Sequence, residues 1–197
     1  MGEIKSALEI ALEKTESVKG DKESLLAHEK RQDGKKIASK FLMEPDTPIS
    51  SVKDSLKSYS KKEEQWVKEG ILETIMSNLS LPTKKADLDR LPRLQEVLHL
   101  FIKDKKQVSY IIDQVKQFFN QYLENRDHIQ QSLEEQFAPR MREKEQQLAQ
   151  QLGTEVQLSP ESDPEFAEYL RKNFGQLDEQ YQQALDQVKG QIRGMFS

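Results

Sequence analysis

Glu96 and His99, in the stretch EVLH, come nearest to a metal-binding pattern in this sequence. A Glu-x-x-His pair places both side chains on one helix face and is half of the di-iron motif of helical bundles. The full motif needs a second such pair and two more inward carboxylates. The nearest candidate fails because Glu124 lies four residues before His128. We therefore predict no metal and no cofactor, and we interpret His99 as a partly buried residue with a backbone partner.

Other catalytic patterns are equally incomplete. The chain contains no Cys, which excludes disulfides, thiolate catalysis and Cys-ligated zinc. No Ser lies in a glycine-flanked nucleophile elbow, and VKGDKES lacks the glycines and the Lys-Ser step of a phosphate-binding loop. The sequence therefore predicts a protein that is not an enzyme.

A second feature with chemical potential is a line of lysines. Lys53, Lys57 and Lys61 recur every four residues, which on one helix would form a basic face for phosphates or for an acidic partner. Acidic residues interrupt this and every other basic cluster, and the net charge is -4 with a pI near 5.6. A nucleic-acid-binding protein normally carries a strongly basic face. A polyanion-binding role, as an accessory factor bound to nucleic acid, is thus the less favoured alternative.

Composition indicates the class of fold that must carry these residues. Only 35% of the 197 residues are hydrophobic, whereas 32% are charged. This mixture favours helices that share narrow apolar seams over a globule with a thick core. The sequence predicts an all-α protein, an elongated helical bundle or coiled coil. Acidic residues near the N-terminus argue against a signal peptide, and no apolar run is long enough to cross a bilayer, so we expect a cytoplasmic protein.

The first predicted segment, residues 1–44, is an amphipathic helical region. We expect Gly20-Asp21 to interrupt it and Gly34 to weaken its second stretch. Docking of its apolar face on the protein's own bundle or on a second subunit is favoured over a membrane, because its polar face is rich in glutamate. The predicted apolar face is Ile4, Leu8, Ala11, Leu12 and Thr15.

The second segment, residues 45–153, is the central helical region. After the breaker MEPDTPISS, a helix capped by Ser51 and Asp54 should run to about Ser80. From Pro92 the sequence predicts one long helix to Phe137, with Pro139 kinking or breaking it. Its apolar seam follows a strict four-three spacing: Leu94, Leu98, Phe101, Lys105, Val108, Ile112, Val115, Phe119, Tyr122, Arg126, Ile129 and Leu133.

Two points in this long helix leave alternatives open. The charged residues 103–106 are either part of one continuous helix, which the unbroken phase favours, or a turn in which Asp104 and Gln107 start a new helix. Lys105 and Arg126 occupy seam positions that an apolar partner would not favour. They either fix the register or the choice of partner, or they mark places where the seam reaches solvent.

The third segment, residues 154–197, is a linker followed by a long C-terminal helix that we expect to pack on the central region. Asp163-Pro164-Glu165 predicts the start of this helix, with a capping acid and a first-turn proline. Its apolar positions then recur at helical spacing: Phe166, Leu170, Phe174, Leu177, Tyr181, Leu185, Val188, Ile192 and Met195.

These patterns predict an interaction or scaffold protein that acts through coiled-coil-type seams. The expected partner is another protein or a second copy of the chain in a homo-oligomer. The residues predicted to carry association are Leu98, Val108, Ile112, Val115, Phe119, Tyr122, Phe174, Leu177, Tyr181 and Val188.

One resemblance adds to this interpretation. The N-terminal stretch GEIKSALEIALEKT is similar to the starts of uncharacterised bacterial all-helical proteins, a family of unknown function. The resemblance rests on this segment and implies a helical fold without any transferable activity.

Overall fold

The computed structural model describes residues 7–155 and 157–196. Within them the regular structure is helical and contains no strand, which confirms the all-α class, the long central helix and the long C-terminal helix. Short 3-10 turns occur at Lys85–Arg90 and Pro160–Ser162. The α-helices are α1 (Ala7–Met43), α2 (Ile49–Leu56), α3 (Lys61–Asn78), α4 (Leu91–Phe101), α5 (Lys105–Leu152) and α6 (Pro164–Met195).

These helices form two compact units. The first contains the chain up to Leu79, Arg93–Lys103 and Phe196–Ser197, and the second contains Ser80–Pro92 and Asp104–Met195. The units are groups of contacting residues, whereas the three predicted segments divide the chain by position alone. That three-segment division remains a prediction.

The N-terminal helix is longer than predicted. α1 continues as one helix through Gly20-Asp21 and Gly34, so the predicted interruption is wrong. A single glycine inside a helix costs only about 1 kcal/mol relative to Ala, which long helical flanks readily offset. The predicted apolar face of this segment lies outside the described side chains: Ile4, Leu8, Ala11, Leu12 and Thr15.

The predicted helix from Ser51 to Ser80 is two helices. α2 ends at Leu56, and α3 starts after Ser60 with a capping box. The Ser60 side chain accepts from the Glu63 amide at 3.4 Å, and the Glu63 carboxylate accepts from the Ser60 amide at 3.0 Å. The predicted capping pair, Ser51 with Asp54, is wrong. The capping box that starts α3 lies nine residues downstream, at Ser60. There Ser60 and Glu63 together satisfy two backbone amides that the first turn of a helix leaves unpaired.

Residues 103–106 contain a turn, so the predicted continuous helix from Pro92 to Phe137 is wrong and its alternative is confirmed. α4 ends at Phe101, and the Asp104 carboxylate caps α5 by accepting from the Gln107 amide at 2.9 Å. The unbroken heptad phase across this turn was a coincidence. α5 also continues through Pro139, so a break there is wrong as well.

In the first unit, α1 and α3 run parallel to each other. Three ion pairs set their register, and the residue numbers rise together along both helices: Glu23 with Lys62 at 2.6 Å, Arg31 with Glu69 at 2.7 Å, and Lys35 with Glu73 at 2.7 Å. Buried apolar residues of both helices, such as Ala38 of α1 and Ile71 of α3, lie in this unit.

In the second unit, α5 and α6 form an antiparallel pair. Phe137 packs edge-on against Phe166 with ring centres 5.5 Å apart, and both rings lie in a core with Leu133. The predicted start of α6 is confirmed, because the Asp163 carboxylate accepts from the Glu165 amide at 2.9 Å. The proline at position 164 then occupies the first helical position, where its missing amide proton costs nothing.

Candidate interaction surface

Two glycines bring the backbones of α1 and α3 into direct contact. A Cβ on Gly34 would lie 2.0 Å from the Val67 carbonyl oxygen, and a Cβ on Gly70 would lie 2.0 Å from the Arg31 carbonyl oxygen. Gly34 therefore lies against the carbonyl of Val67, three residues before Gly70, and Gly70 lies against the carbonyl of Arg31, three residues before Gly34. Any larger residue would force the helices apart, so this crossing fixes α1 on α3.

The C-terminal end of α1 is held by an arginine from α4. Arg93 Nε donates to the Phe41 carbonyl at 3.0 Å, Nη1 donates to the Pro45 carbonyl at 3.0 Å, and Nη2 reaches the carbonyls of Glu44 and Thr47. The guanidinium carbon also lies 3.9 Å from the centre of the Phe41 ring. One side chain thus satisfies carbonyls that a helix end leaves unpaired and orders the loop behind it.

An open groove of about 680 Å³ lies beside this loop, between the end of α1 and the start of α2. Its charged lining mixes Lys40 with Glu44 and Asp46, and Glu44 already accepts a hydrogen bond from the Thr47 hydroxyl at 2.9 Å. These charges largely offset one another. The groove therefore offers no set of like groups that converge on one ligand.

Upstream of the crossing, α1 has a turn whose side chains are exposed. Every residue from Lys22 to Leu26 is exposed, and packing begins at Ala27, which is buried. Leu25 is 70% exposed and Leu26 is 38% exposed, on a helix that continues upstream to Ala7. With Met43 at the C-terminal end of the helix, which is 80% exposed, these two leucines are the exposed large apolar side chains in the described part of α1.

The charged residues around this turn differ in whether they have an ion-pair partner. The carboxylate of Glu23 pairs with Lys62 of α3 at 2.6 Å, and that of Glu29 pairs with Lys30 at 3.1 Å. Among the described residues Lys22 has no ion-pair partner. Because Lys22 lies three and four residues before the two leucines, it is next to them on the helix surface.

The residues predicted to form an association seam are placed within the fold of the single chain. Those from the central region are buried: Leu98, Val108, Ile112, Val115, Phe119 and Tyr122. Those from the C-terminal helix are half-buried: Phe174, Leu177, Tyr181 and Val188. Their role in association remains a prediction, and an association through the buried set requires that the chain opens.

Arg126, the charged residue predicted at a seam position of α5, binds α6. Its guanidinium carbon lies 4.1 Å from the centre of the Phe174 ring, and its Nη1 donates to the Tyr122 hydroxyl at 2.9 Å. That hydroxyl donates in turn to Asp178 at 2.6 Å. Burial, followed by this hydrogen bond, raises the pKa of Tyr122. The geometry favours the register-fixing interpretation of Arg126, while Lys105 is exposed.

The three lysines predicted as a polyanion face do not lie on one helix. Lys53 is in α2, Lys57 follows the last residue of that helix, and Lys61 is the first residue of α3. Lys57 is also paired with Asp54 at 2.7 Å. The helical spacing behind this prediction is therefore wrong, because the chain turns between Lys57 and Ser60. Polyanion binding by these lysines remains a prediction without that geometry.

The two residues of the Glu-x-x-His pair differ in how exposed they are. Glu96 on α4 is exposed, while His99 is half-buried and has an interaction partner. Within the described ranges, no three His, Asp or Glu residues come close enough together to hold a metal ion.

Sequence reasoning missed two features of this surface. The local sequence does not distinguish Leu25 and Leu26 from core residues of a helix, because it does not show that burial of the described side chains begins only at Ala27. The local sequence does not distinguish Arg93 from any other surface cation. A signal existed at Gly34 and Gly70, since conformationally costly residues inside helices often mark close packing.

Comparisons with known proteins place the chain without assigning an activity. No curated protein matches it, and no solved structure matches it. Among the helices that the structure describes, none combines the length and the apolarity needed to cross a membrane.

One family model does match, over residues 53–194. This range starts inside α2 and covers α3 to nearly the end of α6, so it does not include the N-terminal segment that suggested a resemblance. It covers well over half of the chain. The chain therefore belongs to a family whose description is "Family of unknown function (DUF6657)".

Proposed function

We propose that this chain is a non-enzymatic helical interaction protein that binds a partner protein through the exposed face of α1. The observation that carries the proposal is the exposed turn from Lys22 to Leu26, with Leu25 70% exposed to solvent. Large apolar side chains exposed next to each other on a helix are typical of recognition surfaces.

The form of α1 supports a helix-in-groove mode of binding. The helix extends upstream from this turn to Ala7, a length of about 23 Å at 1.5 Å per residue. Its sequence also spaces Leu8, Ala11, Thr15 and Val18 by three and four residues, in phase with Leu25. Such spacing is what an amphipathic helix uses to enter an apolar groove.

The downstream half of α1 provides a rigid base for the exposed turn from Lys22 to Leu26. The glycine crossing presses it onto α3, and Arg93 fixes its C-terminal end. Binding then needs little ordering of α1, and a preorganised element loses less conformational entropy when a partner docks. The central seam contributes less to this proposal, because its residues are already buried within the chain.

The proposal is tested with Leu25→Gln and Leu26→Gln combined in the full chain. Glutamine is a good helix former, and both leucines are exposed, so circular dichroism should show unchanged helicity. The tagged wild-type chain should retain a defined protein from extracts of its own cells, and the double variant should lose it. The matched control is Tyr169→Gln, which changes an exposed aromatic residue of α6. Equal retention by wild type and double variant would overturn the proposal.

A further inference from the structure

We infer that Lys62 of α3 is a positioning residue for the exposed turn from Lys22 to Leu26 in α1. This inference rests on the proposed function and deepens it, because it assigns the side chain that sets the direction in which the two leucines face. It follows from one ion pair, from the ring that holds the cation of that pair, and from the angular positions of three residues on α1.

The ion pair lies one helical turn upstream of the point where burial of α1 begins. Lys62 Nζ is 2.6 Å from the carboxylate of Glu23. Glu23 lies four residues before Ala27, the first buried side chain in the described part of α1. Residues four apart lie on the same face of a helix. The pair therefore extends the contact between α1 and α3 by one turn, into the exposed segment.

The position of Glu23 on the helix determines where the leucines point. Each residue of an α-helix advances about 100° around the axis, so Leu25 is about 200° from Glu23, whereas Leu26 is only about 60° from it. With Glu23 turned toward α3, Leu25 faces away from α3 and Leu26 lies at the border of the contact. Their exposures follow this order, 70% for Leu25 and 38% for Leu26.

Trp66 holds the cation of this pair in place. Lys62 Nζ lies 5.4 Å from the centre of the Trp66 ring, which is half-buried one turn further along α3. The face of the ring attracts the ammonium group, and this attraction restricts the conformations that a long lysine side chain otherwise samples. Lys62 therefore loses less side-chain entropy when it pairs with Glu23 than an unrestrained lysine would.

The ion pair is exposed, so its strength depends on salt. The side chain of Lys62 is 64% exposed and that of Glu23 is 56% exposed. Exposed pairs contribute modestly to stability, and dissolved salt screens them. Lys62 thus restrains the turn without locking it, and the restraint should weaken as the ionic strength rises.

The test measures hydrogen exchange of the backbone amides of residues 25–27 in the full chain. Lys62→Met removes the charge and keeps most of the side-chain length, and it should make these amides exchange about threefold faster, the factor that one exposed ion pair contributes. Lys62→Arg keeps a cation that pairs with a carboxylate and stacks on a ring, so it should restore the wild-type rate. Lys61→Met, at the exposed neighbouring position, is the matched control and should leave the rate unchanged.

A second variant shows whether the effect passes through the ion pair. In a chain that carries Glu23→Gln, Lys62→Met should cause no further change at these amides. The wild-type chain in about 1 M salt should exchange nearly as fast as Lys62→Met, because the pair is then screened. An unchanged rate in Lys62→Met, an equal increase in Lys61→Met, or the full increase in the Glu23→Gln chain would overturn the inference.

Photo-crosslinking from position 25 separates this inference from the proposed function. Lys62→Met should lower the yield of the adduct with a second protein about threefold, and Lys62→Arg should restore it. Faster exchange with an undiminished adduct would overturn the positioning role and leave docking through α1 intact. The absence of any adduct from the wild-type chain would overturn the proposed function and the positioning role together, whatever the exchange rates show about the ion pair.

Discussion

Gly34 of α1 lies so close to Val67 of α3 that a Cβ at position 34 would be 2.0 Å from the Val67 carbonyl oxygen. The obstacle is backbone, which cannot rotate away as a side chain can. Gly70 has the same relationship to Arg31, so the contact is reciprocal. This crossing fixes the part of α1 that follows the exposed turn from Lys22 to Leu26.

We predict that Gly34→Ala destabilises the chain by about 1–3 kcal/mol, the usual cost of overpacking a close contact. Gly70→Ala should have an effect of similar size, because its obstacle is also a carbonyl. Urea denaturation followed by circular dichroism measures the change as a lower midpoint. Gly190→Ala is the matched control: a Cβ at that position of α6 meets nothing within 4 Å. Alanine there should stabilise the helix by up to about 1 kcal/mol, and an unchanged midpoint for Gly34→Ala would contradict the crossing.

Arg93→Ala should loosen the end of α1 and the loop from Glu44 to Thr47. The substitution leaves carbonyl oxygens without their donor, with an expected loss of about 2–4 kcal/mol, because hydrogen bonds to charged groups contribute more than neutral ones. Arg93→Lys should rescue little, since an ammonium lacks the planar fork of five donors. Hydrogen exchange measures this as faster exchange of the backbone amides of Glu44, Asp46 and Thr47. Arg171→Ala, at an exposed site on α6, serves as the control, and unaltered exchange in Arg93→Ala would refute the role of Arg93.

The contact between Tyr122 and Asp178 should set the register of α5 against α6. A double-mutant cycle with Tyr122→Phe and Asp178→Asn is expected to give a coupling energy of about 1 kcal/mol, as their hydroxyl–carboxylate distance of 2.6 Å implies. Tyr110→Phe provides the comparison, because the Tyr110 ring is 64% exposed. Additive effects in the cycle would show that the two groups act independently.

Asp163 should make the stability of the second unit depend on pH. Its hydrogen bond from Lys144 lowers the pKa of this carboxyl below its ordinary value of 3.8. The charged form is therefore favoured in the folded chain. Its contribution to stability is present above pH 3.8 and is lost as pH falls through the lower, folded-state pKa.

Asp163→Asn keeps a good helix cap and removes the charge that attracts Lys144. The variant should be less stable than wild type at neutral pH, and the gap should narrow below about pH 4. Thermal unfolding at a series of pH values measures both curves. Asp127→Asn, at an exposed site on α5, should follow the wild-type curve throughout. A gap for Asp163→Asn that stays constant down to about pH 2 would contradict the assignment.

The sequence predicted the parts of the fold that depend on local signals. Asp163-Pro164-Glu165 correctly marked the start of α6, because capping acts over a few residues. The interruption predicted at Gly20-Asp21 was wrong, because the free-energy cost of one glycine is small relative to the stability of a long helix. The continuous helix predicted across residues 103–106 was also wrong. The spacing of apolar residues alone does not distinguish one helix from two helices whose heptad phases happen to agree.

The candidate surface was harder to predict than the fold. Whether Leu25 is core or surface depends on where α3 begins to cover α1, and that boundary is set by the turn before Lys61, far away in the sequence. The arginine that holds the end of α1 is likewise 52 residues from the carbonyl of Phe41 that it binds. Such long-range relationships leave no local pattern.

The central claim is that α1 binds a partner protein through the turn from Lys22 to Leu26. The most direct measurement is photo-crosslinking in the native cells from a benzophenone side chain placed at position 25, with position 179 on the exposed face of α6 as the control. The account predicts one discrete adduct with a second protein from position 25, absent from position 179 and abolished by Leu26→Gln. No adduct from position 25, or the same adducts from both positions, would contradict it.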